Sequence, residues 1–306
     1  VEVAKPTDHG MPYEDLELIT SDGVKLRCYM LRQSKEIASN PNAIEIPADV
    51  DSSISEAEFV ANRPTVVMFH GNAGNHGHRI PLAKVFFLRM RCNVLMMCYR
   101  GYGLSEGIPN EQGSCLQRDA QAALDYLWND EAYRLSQIIL YGQSIGGAVA
   151  IDLTSKNPDK VRQGRVANSN SLAYLSVKIT ALVLENTFTS LPSLIPHTLP
   201  LLSPFSFLCH QKWDSISKVP KIPSAMPILM LSGLMDEIVP KEQMQTLYEA
   251  FAQCSERTTS GDKTGTELTE FRTFPQGGHN DTCVQDGYWS AVANFVAKLS
   301  PNPINY

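Results

Sequence analysis

The tightest constraint on this chain is a junction. An apolar run, Gln137–Tyr141, meets Gly142-Gln143-Ser144-Ile145-Gly146-Gly147, and a small-residue run, Ala148–Ile151, follows at once. The pattern reads as a buried strand, a sharp turn and a helix. Glycine at the turn lets strand and helix pack without a Cβ between them. The form G-x-S-x-G in that setting is a nucleophile elbow. A strained turn lifts the serine hydroxyl above the sheet edge, and the amide of Ile145, at the start of the helix, points at a developing oxyanion.

Around the junction, strands alternate with helices. Glu14–Thr20 and Val24–Leu31, joined through Ser21-Asp22-Gly23, read as a hairpin. Short apolar strands follow at Pro64–Phe69, Asn93–Tyr99, Ala181–Leu184, Pro227–Ser232 and Glu270–Phe274. Such continuous runs suit the two-sided burial of a parallel sheet. Helical spacing covers Arg79–Met90, Glu111–Trp128, Lys241–Ala252 and Asp286–Leu299. An antiparallel start followed by this alternation predicts an α/β fold: a mostly parallel, eight-stranded sheet flanked by helices, with its site at the carboxyl ends of the strands. The whole chain, 1–306, reads as one domain. Residues 34–58 and 255–269 are polar and read as surface insertions, and 186–220 reads as a small apolar cap.

Charge narrows the partners. Lys and Arg number 26 against 32 Asp and Glu, a net charge of −6, and no basic cluster offers a nucleic-acid surface. The seven cysteines fit neither a disulfide framework nor a zinc pattern and read mostly as reduced core thiols. His70, His76 and His78 share a glycine-rich loop with no acidic or Cys ligand, so neither a metal nor a cofactor is expected. The sequon Asn280-Asp281-Thr282 abuts His279, where a glycan would block the site argued below, and is expected to be unused. No helix here could span a bilayer: the nearest approach, Asn186–Gln211, carries Pro192, Pro196, Pro200 and Pro204. The chain opens on Val1, and a preceding segment with any signal or anchor is expected outside this sequence.

Three further pieces fall at strand ends. His70-Gly71-Asn72-Ala73 closes the Pro64–Phe69 strand, where a second oxyanion amide is needed. The N–H of Asn72 or Ala73 would face the site, with His70 and Gly71 supporting the loop and His70 a structural histidine. Asp236 follows the Pro227–Ser232 strand, and His279 follows Gly277-Gly278 after Phe274. The order Ser144, Asp236, His279 is nucleophile, acid, base. His279 would take the Ser144 proton, and Asp236 would fix the imidazole tautomer. Each residue also has a plainer role: Ser144 and Asp236 as helix caps, His279 as a loop residue. Glu237 and Asp281 are rivals for the acid. Joint occurrence in this order, each after a strand, favours the triad.

These residues carry a resemblance. His70–Asn75, Tyr99–Ser105, Tyr141–Gly147, Glu185–Ser190, Asp236 with Val239-Pro240, and Gly278–Asp281 resemble the α/β-hydrolases of the fungal bud-emergence (BEM) family, akin to animal ABHD-type lipid and protein-thioester hydrolases. The resemblance spans about Tyr13 to Leu299. It implies the α/β-hydrolase fold, the Ser-Asp-His roles and esterase-type chemistry. It also implies an amino-terminal anchor and membrane association, at the endoplasmic reticulum or plasma membrane, whereas this chain itself reads as a soluble domain.

The charge-free segment Asn186–Gln211 supplies apolar side chains from Phe188 to Leu208 over the expected nucleophile. It suits an acyl chain, or else it only packs the cap onto the sheet. The leading expectation is a serine hydrolase of carboxylic esters or thioesters with apolar or lipid-like acyl groups, a protein-palmitoyl thioester included. The alternatives are a non-enzymatic binding or scaffold protein on the same fold, and an acyltransferase.

Overall fold

The computed structural model describes residues 2–39, 53–108, 115–161, 178–198, 211–258 and 268–299. Its strands are β1 (Glu14–Ile19), β2 (Lys25–Leu31), β3 (Thr65–Phe69), β4 (Asn93–Met97), β5 (Gln137–Gln143), β6 (Lys178–Glu185), β7 (Ile228–Gly233) and β8 (Thr269–Phe274). They hydrogen-bond into one sheet in the order β1-β2-β4-β3-β5-β6-β7-β8. The β1–β2 and β2–β4 pairs are antiparallel and every other pair is parallel. This is the α/β-hydrolase fold, with the antiparallel start and parallel remainder that the strand spacing predicted.

The helices are α1 (Lys35–Ser39), α2 (Glu56–Ala61), α3 (Ile80–Lys84), α4 (Cys115–Asn129), α5 (Ile145–Lys156), α6 (Leu191–Thr198), α7 (Lys241–Thr258) and α8 (Tyr288–Leu299). They cover both faces, because strand side chains alternate sides. Val67, Phe69, Leu95 and Met97 join a core with α4, α5 and α7. Val66, Met68, Val94 and Met96 join a second core with α3 and α8. Consecutive apolar residues therefore serve two cores at once, which is why these strands read as unbroken apolar runs.

Several expected boundaries move. The helix expected over Arg79–Met90 is a composite: a 3-10 turn at His76–Arg79, then α3, then a π turn at Val85–Arg89. Phe86 and Phe87 are both fully buried, and the wider turn lets adjacent side chains reach the same core. The segment 34–58, expected as a surface insertion, carries α1 at its start and the beginning of α2 at its end, and Ala38 is buried. Its middle, 40–52, lies outside the described residues. Helix α7 runs on to Thr258, into the stretch expected as a surface insertion, of which 259–267 lies outside the described residues.

Within the expected cap, α6 forms despite Pro196 inside it. Phe188 and Leu194 are buried in the core beside α5 and α7. The excursion leaves and returns at one point: the Leu191 N–H donates to the Lys212 carbonyl at 2.9 Å and the Ser215 N–H to the Thr189 carbonyl at 2.8 Å. The rest of the apolar stretch, 199–210, lies outside the described residues.

Candidate active site

Ser144 sits between β5 and α5 with φ 55° and ψ −123°, a conformation that costs a non-glycine residue of order 1–3 kcal/mol. Packing on all sides holds it there. A Cβ on Gly142 would lie 2.3 Å from the Gly146 carbonyl oxygen. One on Gly146 would lie 2.2 Å from the Phe69 carbonyl oxygen, and one on Gly147 2.6 Å from Thr187. The glycines thus let α5 start directly against β3 and β6. The Ser144 N–H donates to the Glu185 carbonyl at 2.9 Å, and the Thr187 hydroxyl donates to the Ser144 carbonyl at 2.7 Å. The Ser144 side chain makes no capping bond to α5, so the plainer role of helix cap is not what it does.

His279 and Asp236 meet. The Nδ1 of His279 lies 2.8 Å from Oδ2 of Asp236, with side-chain exposures of 7% and 1%. The other carboxylate oxygen of Asp236 accepts the N–H groups of Ile238 and Val239, at 2.9 and 2.7 Å. Both oxygens are thereby committed, and the carboxylate has one orientation. The rival Asp281 turns instead onto the Gly278 N–H. The carboxylate of Glu237 lies near Gly278, where its Oε2 would be 3.3 Å from an added Cβ. The His279 carbonyl accepts Gln143 Nε2 at 2.8 Å, so the residue before Ser144 grips the histidine loop. Among the described residues no hydrogen bond joins the Ser144 hydroxyl to the His279 ring. Such bonds often tighten only when substrate is bound.

The loop after β3 stands beside the elbow: a Cβ on Gly71 would lie 3.6 Å from the Ser144 Cβ. His70 anchors this loop. Its Nε2 accepts the Tyr99 N–H at 3.4 Å, which places the ring proton on Nδ1, 2.7 Å from the Gly71 carbonyl oxygen. Burial pushes the imidazole down to about 3, so His70 is neutral at ordinary pH and acts as a strut. Asn72 and Ala73 are exposed at the loop tip, and Asn72 Oδ1 accepts the Tyr102 hydroxyl at 2.6 Å. Ile145 is the first residue of α5, and its N–H is one of the four amino-terminal donors a helix cannot satisfy internally. The His76 ring meets the Tyr29 ring at a tilt of 59°, with centroids 4.2 Å apart, and His78 accepts the Asn75 N–H at 3.1 Å.

Glu185 entered the sequence reading only as part of a family pattern, with no role assigned. Glu185 is fully buried at the end of β6, directly behind the elbow. Its Oε2 accepts the hydroxyls of Tyr141 and Tyr288. Desolvation holds its carboxyl above the usual range despite those two donors. A charge-bearing residue at the end of an apolar strand was the one signal available.

A family model described as Serine aminopeptidase, S33, a hydrolase family, matches residues 61–221. The chain is 40% identical to Protein bem46 of Schizosaccharomyces pombe, over 99% of this chain and 82% of that protein. It is 33% identical to the uncharacterized membrane protein YNL320W of Saccharomyces cerevisiae, over 96% of this chain and 83% of that one. Among solved structures it is similar to the Pyrococcus furiosus esterase Pf2001, with a TM-score of 0.65 at 19% identity, covering 98% of this chain and 96% of that one; this is a likeness of fold. No helix among the described residues is long and apolar enough to cross a membrane.

Proposed function

The chain belongs to the bem46 family of α/β-hydrolases, and on that footing we propose that it hydrolyses carboxylic esters or thioesters of apolar acyl groups through Ser144, His279 and Asp236. The observation that carries the reading is the shielded His279–Asp236 pair, 2.8 Å apart, on loops packed beside a strained serine turn. His279 Nε2 takes the Ser144 proton as the oxygen attacks the acyl carbon. The oxyanion is met by the amides of Ile145 and of Asn72 or Ala73. His279 returns the proton to the departing alcohol or thiol, and the acyl group stays on Ser144. Water then adds to the acyl-enzyme, gives its proton to His279, and releases the acid as Ser144 regains its hydrogen. Asp236 holds the imidazole tautomer and stabilises the imidazolium.

Side chains near the triad support an apolar acyl group. Leu234, Met235 and Ile238, neighbours of Asp236 along its loop, are exposed. Membrane association is part of the same reading, supported by the likeness to YNL320W, which is described as a membrane protein.

A fluorophosphonate probe tests the nucleophile. The wild type should be labelled, and Ser144→Ala should lose both labelling and ester turnover while keeping its fold. Ester hydrolysis that survives in a clean Ser144→Ala preparation sinks the assignment. A folded wild type that is never labelled favours the scaffold alternative. A chain-length series of p-nitrophenyl esters and acyl thioesters, with and without a competing alcohol acceptor, separates ester, thioester and acyl-transfer chemistry.

A further inference from the structure

Asn186 is a polar residue, 1% exposed, that follows β6 in a left-handed conformation, φ 44°. No step of the mechanism above uses it. Every polar atom of its side chain is engaged, and each bond leaves its own element. Its Oδ1 accepts the Gly233 N–H at 2.9 Å, at the end of β7 and three residues before Asp236. Its Nδ2 donates to the Gly278 carbonyl at 3.1 Å, the His279 carbonyl at 3.3 Å and the Thr282 hydroxyl at 3.0 Å. One amide therefore grips the loop that carries Asp236 and the loop that carries His279.

The surroundings are built for that grip. A Cβ on Gly233 would lie 2.4 Å from the Gly277 carbonyl oxygen and 2.4 Å from Thr282 Oγ1, so only glycine lets the two loops pass here. The Met235 N–H donates to the Gly277 carbonyl at 2.9 Å, and the Thr282 hydroxyl to the Gly278 carbonyl at 2.7 Å. The neighbouring residues complete the connection to the elbow. The Glu185 carbonyl accepts the Ser144 N–H and Thr187 donates to the Ser144 carbonyl. Gln143 shares the His279 carbonyl with Asn186.

We infer that Asn186 is a positioning residue that fixes the His279–Asp236 pair relative to Ser144, acting through the two loops rather than on substrate. The inference rests on the roles given above to Ser144, Asp236 and His279. Its chemistry is specific: an acceptor toward the acid loop, donors toward the base loop, and a backbone that asparagine tolerates better than most residues. Neither end of Asn186 can be replaced by an apolar group of the same size without stranding buried partners.

Two variants test it. Asn186→Gly keeps the left-handed backbone and removes all four bonds. Asn186→Asp keeps the acceptor for Gly233 and loses the donors to the histidine loop. Both should label with fluorophosphonate and turn over ester about 10²-fold more slowly than wild type, the scale of an ångström-level misplacement, with KM for a short soluble ester nearly unchanged. In both, the proton NMR signal of the His279 Nδ1–H held by Asp236 should broaden or vanish. If Asn186 only supports the fold, its loss lowers the melting temperature while kcat, labelling rate and the imidazole signal stay at wild-type values well below the melt; that overturns the inference. Should Asn186→Gly fail to fold, Asn186→Asp decides alone: wild-type kcat and an intact Nδ1–H signal overturn it. Because the NMR signal needs no turnover, a wild type that resists labelling refutes the nucleophile assignment separately from the positioning role.

Discussion

Glu185 shows how much one side chain can tie to pH. It is fully buried, both tyrosine hydroxyls reach only its Oε2, and Oε1 has no hydrogen-bond partner among the described residues. Desolvation raises its pKa above the ordinary 4.5, and the hydroxyls of Tyr141 and Tyr288 oppose that in part. Between pH 4.5 and the raised folded pKa the unfolded chain has released this proton while the folded chain retains it, so the group's contribution to stability falls as pH rises through that window. Glu185→Gln removes the titration and keeps the shape. The stability of Glu185→Gln relative to wild type should therefore increase with pH from 4.5 upward, by at most about 1.4 kcal/mol per pH unit. Denaturant unfolding of both proteins at pH 5 and 8 measures the difference. A gap that stays constant or shrinks means the carboxylate is ionised in the folded protein.

At the scale of elements, the elbow depends on backbone meeting backbone. A methyl at Gly146 has nowhere to go, because its nearest neighbours are the carbonyls of Phe69 and His70, at 2.2 and 3.0 Å, rather than a movable side chain. Gly146→Ala must push α5 off the end of β3, and it should cost about 3 kcal/mol, the upper range for an overpacked core. A chemical-denaturation midpoint close to wild type would mean that the helix start can shift at little cost. This junction was legible in the sequence because its signals are local: an apolar run, spaced glycines, and small residues beyond. The other strands were legible for the same reason, and their ends moved by only a few residues. The acid was not fixed by such signals. Asp236, Glu237 and Asp281 are all carboxylates on strand-end loops, and only side-chain direction brings Asp236 onto His279 while Asp281 turns to the Gly278 N–H. Asn186 was less legible still, since its partners Gly233, Gly278, His279 and Thr282 stand 47 to 96 residues away along the chain. A bond over that distance leaves no periodicity to read.

Across the whole molecule, one buried arginine joins the antiparallel edge to the parallel half that holds the site. Arg100, in the loop after β4, donates Nε and Nη2 to Asp119 Oδ1 on α4 at 2.9 and 2.7 Å, and its own N–H to Asp119 Oδ2 at 3.0 Å. Its outer edge meets both oxygens of Asp22, in the β1–β2 turn, at 2.8 and 2.9 Å. Arg100 holds the Asp22 carboxyl far below the usual carboxylate range, so that contribution is complete above pH 3.8 and is lost as acid protonates the carboxyl. The same loop touches the proposed oxyanion loop, through the Tyr102 hydroxyl on Asn72 and the Tyr99 N–H on His70. The two carboxylates differ in what they stand to lose. Asp119 is completely buried, whereas the Asp22 side chain is 31% exposed and also meets Arg118. Arg100→Met strands Asp119 in the interior and should cost about 3–5 kcal/mol, the usual result of removing one partner of a buried ion pair. Asp22→Asn leaves the Arg100–Asp119 contact in place, can still accept from the guanidinium and keeps access to water, so it should cost about 1 kcal/mol. Thermal or denaturant unfolding of the two variants reads the order directly. If Asp22→Asn proves the more damaging, the edge hairpin rather than α4 is what Arg100 secures, and the burial of Asp119 is met by contacts other than the arginine.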